Sequence, residues 1–64
     1  APMLYRKAFL YFAQEKEESG LLTLEMALNA DYDGHIEFLN FDAENLTSNP
    51  NIMDLIEEYR IKKT

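Results

Sequence analysis

Apolar residues recur at helical intervals at both ends of the chain and alternate singly through its middle. Near the start, Leu4, Ala8, Phe9, Tyr11 and Phe12 are broken by Arg6, Lys7, Gln14 and Glu15, which predicts a helix from Met3 to about Lys16 with one wide apolar face. Pro2 suits its first turn, and Gly20 is the expected left-handed stop. Near the other end Ile52, Leu55, Ile56 and Tyr59, with Met53 widening the stripe, predict a second helix. Pro50 opens it under a cap from Asn49 or Ser48, and Arg60, Lys62 and Lys63 complement its carbonyl end.

Between these helices the period changes. Leu22, Leu24, Met26, Leu28 and Ala30 alternate with Thr23, Glu25, Ala27, Asn29 and Asp31, as in a half-buried strand, although Leu, Met, Glu and Ala favour helix intrinsically. Tyr32-Asp33-Gly34 fits a short hairpin turn with glycine in the left-handed position, and His35 to Phe41 forms the returning strand. Ala30 then faces Ile36 and Leu28 faces Phe38 on the core side, with Asn29 opposite Glu37 on the other. Further out the register fails, because Asn40 would face Met26 while Leu39 and Phe41 point away. Either a bulge near Phe38-Leu39 restores the phase, or the hairpin is apolar on both faces. Leu39 and Phe41 are accordingly the candidate interface residues.

The stretch from Ala43 to Asn51, with Asn, Thr, Ser and Pro clustered, reads as a surface connection. The expected fold class is therefore α+β in the order helix, β-hairpin, helix (αββα), a small single-layer sheet packed by two helices or completed by dimerisation, in one domain over residues 1–64.

Size makes that completion relevant. A chain of 64 residues builds a marginal core, and with no cysteine it has neither disulfides nor thiolate metal sites to reinforce it. Self-association, as a homodimer, would enlarge the buried surface. The formal charge of -6 repels a phosphate backbone, so direct nucleic-acid binding is not expected. No uncharged run is long enough to span a bilayer, and the opening Ala-Pro-Met-Leu-Tyr-Arg-Lys lacks a secretory layout, so no membrane partner and a cytoplasmic location are expected. The acidic run Glu15-Lys16-Glu17-Glu18 reads as a solvated helix end.

Candidate chemistry is concentrated in Asn29-x-Asp31-x-Asp33-Gly34-x-Ile36-x-x-x-Asn40. This spacing resembles the calcium loop of the EF-hand family, in which oxygen ligands come from loop positions one, three and five, glycine turns the chain at six, and a bidentate glutamate closes the site at twelve. The resemblance implies Asn29, Asp31, Asp33 and Glu37 as ligands to calcium, with backbone oxygen from Tyr32 or His35. It covers about a fifth of the chain, and Asn40 stands where the closing glutamate belongs. Acidic residues before Asp-Gly are also what a hairpin turn selects.

His35, the only histidine, has no cysteine or second histidine to join it in a metal site, and two glycines cannot make a phosphate loop. Asn45-Leu46-Thr47 matches a glycosylation acceptor, which matters only in a secreted chain. No nucleophile with a partner base is recognisable, so no enzymatic activity is expected. The leading expectation is a small acidic protein that binds other proteins in a regulatory or inhibitory role, with no metal or other cofactor. The alternatives are a calcium-binding module on residues 29–40 and an acidic mimic of nucleic acid.

Overall fold

The computed structural model describes residues 2–63, with side chains for residues 3–62, and its elements are helical throughout. In order they are α1 (Pro2–Ala13), α2 (Glu17–Ala30), a 3₁₀ turn (Tyr32–Gly34), α3 (His35–Phe41), α4 (Ala43–Thr47) and α5 (Pro50–Lys63). The expected α+β fold is wrong: among the described residues there is no strand, and hence no β-hairpin.

The reason lies in which residues of α2 are buried. Gly20, Thr23, Leu24, Ala27 and Leu28 face inward at intervals of three and four, while Leu22, Met26 and Ala30, the other members of the alternating set, face out. The period of two was a by-product of exposed apolar residues lying between buried ones. The helix-forming tendency of Leu, Met, Glu and Ala prevails. Thr23, the polar member of the buried stripe, satisfies its hydroxyl by donating to the Ser19 carbonyl at 2.9 Å, one turn back.

α1 runs along α2, and the link between them is a Schellman closure. The Lys16 N–H reaches the Tyr11 carbonyl at 2.9 Å and the Glu15 N–H reaches that of Phe12 at 3.0 Å. Glu15 takes the left-handed conformation, φ 61°, so the stop expected at Gly20 lies five residues earlier and on a residue with a side chain. Gly20 instead sits inside α2 beneath the Phe12 ring, where a Cβ would come within 2.9 Å of the ring tip.

Both short helices fall where other structure was expected. His35 to Phe41 is helical, so the misphased register disappears: Phe38 is fully buried, Leu39 packs against the core, and Phe41 faces out. Residues 43–47, expected to be part of a surface connection, form α4 and bury Leu46. The final helix matches its expected form. Pro50 begins it, and the Asn49 side-chain oxygen accepts from the N–H groups of Asn51 at 3.0 Å and Ile52 at 3.4 Å. Of the cations expected at its carbonyl end, Arg60 pairs with Glu57, Lys62 lies over the Tyr59 ring, and the Lys63 side chain is outside the described set.

The core draws on every helix: Tyr5 and Ala8 from α1, Leu24, Ala27 and Leu28 from α2, Phe38, Leu46, and Ile52, Ile56 and Tyr59 from α5. An accessible surface of 4375 Å² is close to the roughly 4,200 Å² expected for a folded 7.5 kDa chain. Exposed apolar residues therefore reflect sidedness and not loose packing. Among the described residues no helix is long and apolar enough to cross a membrane.

Candidate functional site: an exposed aromatic face between α1 and α3

The outer side of α1 is set by its helical phase. With Tyr5, Ala8 and Phe12 turned toward α2 and α3, the residues Met3, Arg6 and Leu10 lie on the opposite side, and Phe9 falls at the edge. Leu10 is 50% exposed. α3 approaches this edge because Phe38 anchors it through ring contacts with Tyr5 at 5.8 Å and Phe12 at 6.3 Å. Three residues on, Phe41 is thereby placed against Phe9, with ring centroids 5.4 Å apart and planes tilted by 55°. Phe41 is nonetheless 44% exposed.

Arg6, Phe9, Leu10 and Phe41 line a shallow groove of about 310 Å³. Arg6, Glu37, Asn40 and Phe41 line another of about 460 Å³ beside it. The result is an apolar centre bordered by one cation and one anion. An exposed ring held against a half-buried one in such a setting can bury further area at little conformational cost.

The residues expected to ligate calcium fall on different elements. Asn29 lies in the last turn of α2, Asp33 in the 3₁₀ turn and Glu37 in α3. Asp31 closes α2, its N–H donating to Ala27 at 2.8 Å. The Asp31 carbonyl accepts the Tyr5 hydroxyl and, at 3.2 Å, the Gly34 N–H. Of the four, Asp31 and Glu37 line a common cavity of about 100 Å³ with Tyr5, Gly34 and Phe41. Among the described residues no group of three or more His, Cys, Asp or Glu is placed to hold a metal ion.

Gly34 is not the left-handed turn residue expected from the sequence. Its φ is -65°, and its role is steric, since a Cβ there would stand 2.6 Å from a Tyr5 ring carbon. Burial pushes the Tyr5 phenol up, with Asp31 and Asp33 adding to the shift. His35 donates through Nδ1 to the Tyr32 carbonyl at 2.6 Å and lies against the Tyr32 ring at 4.6 Å.

Of the two residues expected to form an interface, the structure separates them. Leu39 is half-buried against the core, whereas Phe41 is at the surface. In the sequence Phe9 belongs to the apolar stripe of α1, and Leu10 falls outside that stripe. The exposure of Leu10 is hidden because seven apolar residues in the nine positions from Leu4 to Phe12 cover more of that helix than one neighbour can bury. Comparison with protein-family models, curated proteins and solved structures finds no match for this chain.

Proposed function

We propose that this protein acts by protein–protein binding and that its first partner is a second copy of itself, paired through the α1–α3 face. The observation that carries this reading is exposed Phe41, stacked on half-buried Phe9 beside exposed Leu10 and flanked by Arg6 and Glu37. A two-fold interface must be complementary to itself. A patch with an apolar centre and one charge of each sign meets that condition: after a two-fold rotation each Arg6 can face Glu37 of the second copy. A non-enzymatic, regulatory role fits a chain whose distinctive surface is apolar, shallow and open.

Size-exclusion chromatography with light scattering tests it. The wild-type chain is expected to run as a dimer that dissociates on dilution, and Phe41→Lys and Leu10→Lys are each expected to give folded monomers. Both side chains are exposed enough for the fold to survive, which circular dichroism checks. A wild-type monomer at all concentrations, or variants that still pair, would overturn the reading.

A further inference from the structure

On the opposite side of α2 lies a second groove, formed with α5. Leu22 and Glu25 from α2 and Asp54, Leu55 and Glu58 from α5 line about 230 Å³ of open space. Leu22 is 59% exposed, and Met26, one turn further along α2, is 55% exposed. The two helices are fixed in place at this point. Glu17 accepts from the side-chain amides of Asn49 at 3.1 Å and Asn51 at 2.7 Å, and the Tyr59 hydroxyl donates to Glu25 at 3.1 Å. The groove is thus preformed, with an apolar floor and a rim of three carboxylates. None of its lining residues is a lysine or arginine.

We infer that this groove receives a basic amphipathic helix of a partner protein, an aliphatic anchor entering between Leu22 and Leu55 while flanking Lys or Arg side chains meet Glu25, Asp54 and Glu58. The anchor gives affinity by apolar burial, and the rim charges chiefly select and steer the partner. A second copy is a poorer occupant. Its α1 carries Arg6 and Lys7, but Arg6 belongs to the α1–α3 face, and a head-to-tail contact leaves unlike surfaces open unless its rotation closes a ring. The inference is independent of the pairing proposed for the α1–α3 face.

The test titrates the isotopically labelled full chain with a synthetic amphipathic helix of leucine and lysine, and with its counterpart of leucine and glutamate, by amide and methyl NMR. The lysine peptide is expected to move Leu22, Glu25, Asp54, Leu55 and Glu58, to leave Phe9 and Phe41 in place, and to bind about tenfold more weakly to the Asp54→Asn/Glu58→Gln double variant. Leu22→Ala should speed dissociation more than it slows association. Equal binding of both peptides, shifts centred on Phe9 and Phe41, or no saturable shift would overturn the inference. So would movement of the groove signals on simple dilution, which would identify the occupant as a second copy.

Discussion

Tyr5 joins three elements at one point. From α1 its ring lies against Phe38 of α3 and over Gly34, while its hydroxyl donates to the Asp31 carbonyl and, at 3.3 Å, approaches that of Tyr32. Tyr5→Phe keeps the ring and removes the donor, so a loss of about 1 kcal/mol in denaturant unfolding is expected. The same residue gives a pH dependence. Because its phenol is held above the ordinary value of 10, its contribution is complete below about pH 10 and is lost as pH rises toward the folded-state value. Tyr5→Phe should flatten that alkaline loss, and unchanged alkaline behaviour would remove Tyr5 from the explanation. The two glycines should respond unequally to alanine. At Gly34 the clash is with a buried ring, costing roughly 1–3 kcal/mol. At Gly20 it is with the tip of the half-buried Phe12 ring, which can yield, and alanine also favours the helix. Glu15→Gly, which relieves a left-handed non-glycine residue, should raise stability by about 1 kcal/mol.

At the scale of elements, the sequence was legible where caps and period agreed. α1 and α5 have proline at the first position and a 3.6-residue stripe, and both form, α1 ending at Ala13 and not near Lys16. It misled where a helix exposes apolar residues, because Leu22 and Met26 completed an alternation that the buried Leu24 and Leu28 had begun. Once residues 22–30 were read as a strand, Asp33-Gly34 followed as a turn and residues 35–41 as its return. The real link is tertiary, a buried Tyr5 bonded to Asp31, and no local pattern announces a contact 26 positions apart. Phe41 lies outside the core by helical phase and not by a slipped register, whereas Leu39 packs against it. The α3 assignment has its own test. Phe38→Ala removes a fully buried ring shared by α1 and α3 and should cost about 3–5 kcal/mol, whereas Ile36→Ala, at an exposed site, should cost little. Similar losses at both positions would contradict the helix. Calcium should leave the Gly34 amide unmoved, because Asn29 and Glu37 are held on two different helices and Asn40 stands where the closing carboxylate belongs; a saturable shift would contradict this.

Across the whole molecule, the helices leave apolar surface on two sides with different charge. The α1–α3 face carries Arg6 and Glu37 around Phe9 and Phe41, and the α2–α5 groove has Glu25, Asp54 and Glu58 around Leu22 and Leu55. Salt should therefore act in opposite directions. Two copies of net charge -6 repel, so screening strengthens their pairing, while the same screening weakens capture of a basic helix by the groove. A dimer paired through α1 and α3 would present two such grooves, and a partner with two basic helices would gain avidity without new contacts. The central claim is the pairing, and an isotope-filtered NMR experiment on a mixture of labelled and unlabelled chains observes it directly. The account predicts intermolecular contacts from Phe41 and Leu10 of one copy to Phe9 and Leu10 of the other. Intermolecular contacts confined to other surfaces, or none at concentrations where the chain is fully associated by light scattering, would contradict it.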